Sequence, residues 1–254
     1  RFSPGNVLSF GFQYAFYDSW FWVRQLNFDV GSVASFGPDF TQGTSNAGVA
    51  QIITDARRKV GTTYMPSLRW KHSGPVWDWQ FNGAFSRASN HYRAIDSGWF
   101  QNNNAYYRGL TIRFEQMGYD HPGVVSVKDA AGRDLNPYSL ANYKLETVSS
   151  LGFNGYDIVR SLAGFAKRDF SLRIPVTMKI GVDYRSQLRD MRRPTSTYGF
   201  VGKDGLAATV DDSADQWFDP VFSSRNMLYG PKMQWFDLGR IGGVYKTTPS
   251  YFSQ

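Results

Sequence analysis

The chain contains three histidines, His72, His91 and His121, and no cysteine. The histidines are scattered and lack the short spacing that sets two imidazoles on one metal. Without cysteine there is neither a disulfide nor a thiolate metal site. Gly199-Phe200-Val201-Gly202-Lys203-Asp204 has some look of a phosphate loop, but its spacing is wrong and no Ser or Thr follows the lysine. It is expected to be a turn. Asp211, Asp212, Asp215 and Asp219 offer oxygens to calcium, yet they lack the glycine turn of a calcium loop, and a solvated acidic loop is expected. The reading is of a non-enzyme, with no catalytic residue, no metal ligand and no cofactor.

Binding chemistry is better represented. Trp99-Phe100-Gln101-Asn102-Asn103-Asn104-Ala105-Tyr106-Tyr107 combines rings, which stack on sugars or on aromatic iron chelators, with amides that hydrogen-bond directionally. Trp99, Asn103, Tyr106 and Tyr107, together with Arg189, are the candidate ligand-binding residues, placed on a long outer loop. Packing of that loop on itself is the competing reading.

The elements that must carry such a loop are written in alternation. From Val176 to Arg185, Val176, Met178, Ile180, Val182 and Tyr184 alternate with Thr177, Lys179, Gly181, Asp183 and Arg185. Successive strand side chains point to opposite faces, so one face is apolar and the other carries three charges. Turning Lys179 or Arg185 towards lipid would cost ~2–4 kcal/mol each near a bilayer midplane. Val176, Met178, Ile180, Val182 and Tyr184 are therefore the expected lipid-facing set. Leu8, Phe10, Phe12, Tyr14 and Phe16 repeat the pattern, as do Trp77, Trp79, Phe81 and Phe85.

Six strands are predicted, near 7–17, 20–30, 63–71, 76–87, 156–170 and 176–188. Short turns are expected at Tyr17-Asp18-Ser19, His72-Ser73-Gly74-Pro75 and Ser171–Pro175. Long connections are expected at Gly31–Gly61, Ala88–Gly155 and from Met191 onward. Inside them, Ser45–Lys59 is predicted as a short helix with Val49, Ile52, Ile53 and Ala56 on one face. Leu110–Gln116 and Val124–Val127 are predicted as a hairpin. Three departures disturb the strands: Arg24 on an apolar parity, Pro66 inside a strand, and Arg160 and Arg168 sharing a face with Leu162 and Phe170.

Composition agrees with a sheet that is apolar on one side. Aromatic residues make up 17% of the 254 residues while the hydrophobic share is 42%, a balance that a one-sided strand achieves more easily than a two-sided core. The densest apolar run, Trp20-Phe21-Trp22-Val23, falls far short of the ~18 residues of a membrane helix. The net charge of +7 is dispersed, apart from Arg185, Arg189, Arg192 and Arg193 at the end of a strand, and nucleic acid is not an expected partner. Those arginines suit a rim at lipid headgroups, where guanidinium pairs with phosphate. The fold expected is all-β: a segment of an antiparallel transmembrane β-barrel, about six long strands forming an open sheet, with short turns at one end and long loops at the other. A soluble carbohydrate-binding β-protein and a porin or adhesin barrel are the alternatives.

The stretch from Asp157 to Asp190 resembles TonB-dependent receptors of the Gram-negative outer membrane. Phe165-Ala166-Lys167-Arg168-Asp169-Phe170, the turn ending in Ile174-Pro175, and Val176 through Arg185 carry the resemblance. Asp129–Asp134 through Tyr143-Lys144-Leu145, and Ser67–Lys71 leading through Gly74-Pro75 to Trp77, are similar to the same family. The resemblance implies a barrel of about 22 strands with a plug in its lumen, of which this chain would be an internal fragment. It also implies outer-membrane lipid and lipopolysaccharide as surroundings, the TonB complex as a partner through regions not in this sequence, and uptake of a small-molecule ligand. An iron-siderophore is favoured, with carbohydrate or cobalamin open.

Overall fold

The computed structural model describes residues 5–254. In chain order the strands begin with β1 (Asn6–Asp29), β2 (Val33–Gly37), β3 (Phe40–Gly43), β4 (Gly48–Ser73) and β5 (Trp77–Tyr92). There follow β6 (Asn102–Met117), β7 (Pro122–Lys128), β8 (Asp134–Leu135) and β9 (Lys144–Leu151). The last are β10 (Phe153–Phe170), β11 (Val176–Arg192), β12 (Thr195–Phe200) and β13 (Phe252–Ser253). Two helices, α1 (Pro220–Ser223) and α2 (Leu238–Thr247), lie between the last two strands. The fold is all-β, antiparallel and open, as the alternation predicts. The described residues divide into two compact units, of which the first holds residues 5–19, 58–93 and 152–193 and the second the remainder.

In the first unit β1, β4, β5, β10 and β11 neighbour one another in that order. The turn after β4 is closed by the Gly74 N–H on the Trp77 carbonyl, and Ser171–Pro175 joins β10 to β11. Two of the three predicted short turns are thus present and lie at the same end of the unit, as the antiparallel order of four strands requires. Pro66 leaves its mark: the β4–β5 pairing skips from Tyr64↔Arg87 to Ser67↔Ala84, because proline has no N–H for the ladder.

Register decides which residues share a face. Leu162 opposes Gly83 and Tyr184, Ala166 opposes Trp79 and Ile180, and Phe81 opposes Trp70. The apolar parities of the neighbouring strands thus fall on one side. Phe10, Phe12, Tyr14 and Phe16 of β1 are 57–72% exposed, and Ile180 is 69% exposed. The opposite side is polar and tied together. Lys167 Nζ meets Asp169 at 2.9 Å, Arg69 donates to Gln80 at 2.7 Å, and Arg189 and Gln187 both donate to Asp157. Arg168 stays on the apolar side but lies over the rings of Trp77 and Phe170, near the short turn where a long side chain can bend towards water. Among the described residues, every buried hydrophobic side chain belongs to the other unit.

In the second unit the N-terminal half of β4 pairs with β6, followed by β9, β12 and β13. β3 and β7 also pair with β6, extended by β2 and β8. Phe100, Tyr143, Phe200, Phe236, Met233 and Ile241 are fully buried here. Asp237 caps α2 by accepting from the N–H groups of Gly239 and Arg240. Gly242 of α2 lies so close to the Gly98 carbonyl that a Cβ would clash, which lets the helix dock on Trp99.

Three predictions are corrected. Tyr17-Asp18-Ser19 is not a turn, and the segments near 7–17 and 20–30 are one strand. The triplet has no glycine or proline to reverse the chain, and Arg58 of β4 grips the Asp18 carboxylate at 2.7 and 3.0 Å. The first unit therefore has five strands in place of six. Ser45–Lys59 is not a helix, because burial alternates along β4, with Gly48, Ala50, Ile52, Thr54 and Ala56 inside. The long connections are also not loops, since they hold β2, β3, half of β4, and β6 to β9. The predicted hairpin is present as β6–β7, closed through Phe114↔Val125.

Candidate functional site

Of the predicted binding residues, Trp99 lies in the short connection before β6 and the others occupy strands. Trp99 packs edge-on against Trp20 and Trp22 at 4.7 and 5.5 Å. Asn103, Tyr106 and Tyr107 lie on β6 and not on a loop. Asn103 is fully buried and donates to the Phe100 carbonyl at 3.3 Å. The Tyr106 hydroxyl accepts from Gln51, and Arg108 sits 4.2 Å over the Tyr106 ring. Tyr107 packs edge-on against Tyr143, and burial pushes its hydroxyl up from the ordinary value. Arg189 belongs to the first unit and is committed to Asp157 at 2.7 Å. Self-packing is what these residues do in this arrangement.

The acidic residues also have structural work. Asp211 accepts from the Thr209 hydroxyl and from the N–H groups of Lys203 and Asp204, which pull its carboxyl down to about 2. Asp212 is buried, and burial pushes its carboxyl up. Asp219 caps α1 through Phe222 N–H and holds Arg24 through its other oxygen.

The second unit contains a cleft of about 950 Å³. One wall is the outer stretch of β1, where even positions continue as Trp22, Arg24, Leu26 and Phe28. Phe114 and Val125, paired across β6 and β7, form another. The segment 222–231 and Trp235 complete it, with Tyr138 and His121. His121 stacks on Tyr229 at 4.0 Å, and both reach the Asp120 carboxylate, His121 at 2.7 Å and the Tyr229 hydroxyl at 3.0 Å. These two bonds hold the Asp120 carboxyl below its ordinary value.

Arg24 is the unusual member. Its guanidinium carbon lies over Phe222, 3.4 Å from the ring centre, and Nη2 meets Asp219 at 2.9 Å. The side chain is 2% exposed. Burial draws the guanidinium below its ordinary value, and Asp219 opposes that shift. Arg225 lies 4.5 Å from the same Phe222 ring. Two guanidiniums thus flank one ring in a cleft whose lining includes no acidic side chain.

Sequence reasoning passed over this cleft. Its rings come from four separate stretches that no spacing connects. The available signal was Arg24, a charge on the apolar parity of a strand, which marks a local environment different from that of Phe10 to Phe16. No protein-family model and no curated protein matches the chain.

Proposed function

We propose that the chain is part of an outer-membrane transport receptor of Gram-negative bacteria, similar to the TonB-dependent kind. In this reading the first unit is a stretch of barrel wall in lipid, and the second captures a scarce small-molecule ligand in its cleft. The observation that carries the reading is the first unit's bare apolar face. Rings and aliphatic chains from five neighbouring strands lie on one side with nothing of their own unit over them, while the other side is laced with ion pairs. A soluble sheet must cover such a face, since contiguous apolar patches above a few hundred Å² are rare on monomers. Lipid covers it without any partner chain.

The dimensions suit a bilayer. From Trp77 to Phe85 the apolar parity of β5 runs unbroken by charge; at ~3.4 Å per residue and a tilt of ~40° it rises ~21 Å, somewhat short of the ~25 Å apolar band of an outer-membrane barrel, and Arg87 stands at its end. Trp70, Trp77 and Trp79 gather beside the short turn, where an interfacial girdle is expected. β1 and β11 each have a strand neighbour on one side only within the first unit, and these edges are where further strands of a closed barrel would pair. The reading places lipid and lipopolysaccharide around the wall and the TonB complex downstream, and assigns no catalysis. Siderophore, carbohydrate and cobalamin are all compatible with the wall; the cleft decides among ligands.

The test uses the whole chain. Without detergent it should aggregate through its open edges and bare face. In micelles, a nitroxide at position 180 should be relaxed by oxygen and shielded from a water-soluble nickel complex, and one at position 183 should behave oppositely. A monodisperse soluble monomer, or reversed accessibility, would overturn the membrane reading in favour of a soluble carbohydrate-binding protein.

A further inference from the structure

We propose that a recess in the apolar face of the first unit holds one glycerophospholipid, with an acyl chain in the recess and the phosphate on Arg168. The inference rests on that face meeting lipid, and it names a particular lipid site within it.

The recess follows from the register. β10 sets Gly164 opposite Phe81 and Ala166 opposite Trp79, and across β5 the ring of Trp70 comes from β4 opposite Phe81. Large rings thus stand beside two of the smallest residues. A recess of about 440 Å³ opens there, lined by Trp70, Trp79, Gln80, Phe81, Gly164 and Phe165. Its walls are held in place. The Trp70 and Trp79 rings meet edge to face with centres 4.0 Å apart, and His72 stacks on Trp79 at 5.2 Å. Gly164 cannot be enlarged freely, since a Cβ there would meet the Gln80 carbonyl at 3.1 Å and the Phe81 ring at 3.6 Å. A preformed apolar hollow offers an acyl chain more contacts than a flat wall does.

Arg168 supplies the polar half of the site. It follows Ala166 on the same parity of β10, opposite Trp77, and lies over the rings of Trp77 and Phe170. It is half-exposed and has no carboxylate partner among the described residues. The apolar parity of β4, β5, β10 and β11 carries no acidic side chain at this end. Asp169 lies on the polar parity, where Lys167 and Thr177 hold it. Arg173, exposed in the turn between β10 and β11, adds a second guanidinium at the same end. A guanidinium fork pairs with phosphate oxygens, and lipid headgroups present them at the level where an arginine bends out of the apolar band.

The spacing lets one molecule reach both features. Gly164 and Arg168 are four residues apart, ~14 Å along a strand, within the ~15 Å depth of one leaflet of a ~30 Å hydrocarbon core. The site lies at the end of the short turns, which faces the periplasm in the receptor reading and so meets glycerophospholipid. A free anion would meet Arg168 and leave the recess open. An uncharged chain would fill the recess and leave Arg168 without an anion.

The experiment titrates dioleoyl phosphatidylglycerol into the whole chain in dodecyl maltoside and counts bound lipid by native mass spectrometry. The first lipid should bind at least tenfold more tightly than the second, the margin of one charge-assisted hydrogen bond. Dioleoylglycerol, which lacks the phosphate, should show no such first site, and millimolar inorganic phosphate should not displace the lipid. Arg168→Gln should erase the margin, and Arg168→Lys should retain part of it. Trp79→Ala should weaken the first lipid alone; Arg168→Gln leaves the rings in place and keeps the test open if Trp79→Ala does not fold. Arg160→Gln, on the same parity of β10 opposite Phe85, should change nothing.

Graded adsorption with no tight first lipid would overturn the site and leave the membrane reading, which the nitroxides test separately. Displacement by inorganic phosphate would reduce the site to an anion contact. An equal loss in Arg160→Gln would reduce it to general attraction by charge. Lipid A binding more tightly than phosphatidylglycerol would assign the recess to the other leaflet. Each of these outcomes sinks the proposal.

Discussion

Phe12 of β1 is 62% exposed, whereas Phe100 of the second unit is 1% exposed. Phe12 stands in a row of bare rings, while Phe100 lies among Tyr198, Tyr245 and Phe252, with ring centres 5.1–5.8 Å away. The first unit therefore takes its order from backbone ladders and polar cross-strand ties, and must find its hydrophobic burial in its surroundings. The second finds it internally. One chain thus carries two arrangements of apolar surface, one bare within its unit and one packed on itself. β1 shows the change along a single strand: Phe10, Phe12, Tyr14 and Phe16 are exposed, and on the same parity Arg24, Leu26 and Phe28 are partly buried.

The sharpest test is the same substitution in both regions. Phe100→Ala should cost ~3–5 kcal/mol of unfolding free energy, the transfer loss plus a cavity. Phe12→Ala should cost a small fraction of that, because lipid or detergent closes over the gap. Equilibrium unfolding in one micelle system measures both. Comparable losses at the two sites would mean that Phe12 is covered by protein in solution, and the comparison would break.

The next effect concerns the sides of the wall. Ile180→Lys should destabilise the lipid-embedded chain by ~2–4 kcal/mol, the cost of an ammonium on a barrel's lipid face near the midplane. Gln13→Lys, on the polar parity of β1, should shift it by less than ~1 kcal/mol. Unfolding titrations in lipid would show the asymmetry, and equal penalties would show that the two faces meet the same medium.

The two units also differ in how much of them was legible. Strands β5, β10 and β11 could be read because a one-sided strand writes its environment at every second residue, as Val176 to Arg185 does. The second unit hides its strands. In the N-terminal half of β4, Val49, Ile52, Ile53 and Ala56 fit a helical spacing, but only Ile52 and Ala56 are fully buried. Val49 and Ile53 sit on the other face beside Gln51, whose amide reaches Asn104 and Tyr106. In β6 the run of Asn102, Asn103 and Asn104 has a loop's composition, yet it pairs with Asp55, Thr54 and Ile53 across the sheet. Tertiary pairing overrides local composition there, and a cleft assembled from such segments leaves no local motif. Only Arg24, out of place on its parity, pointed towards it.

The smallest expected effect lies in Asp211 and Asp212, adjacent carboxyls that should act on the second unit with opposite signs. Asp211 is depressed to about 2 by the Thr209 hydroxyl and by backbone N–H groups. Its stabilisation is complete above the unfolded-state value of ~3.9 and is lost as pH falls towards about 2. Asp212 is raised by burial, and its Oδ1 has no partner. Its contribution is complete below ~3.9 and is lost as pH rises through its folded value. Asp211→Asn should therefore flatten the acid limb of the stability profile, and Asp212→Asn the limb just above it, leaving the variant relatively more stable near neutrality. Urea midpoints between pH 2 and 7, followed by near-ultraviolet circular dichroism of the packed rings, resolve the two limbs. The far-ultraviolet sheet signal of the first unit in micelles should not move with either change. If it does, the units unfold as one and the contrast between them is confined to solvent exposure. If both substitutions act on the same limb, Asp212 is ionised in the fold and its buried oxygen has found a donor.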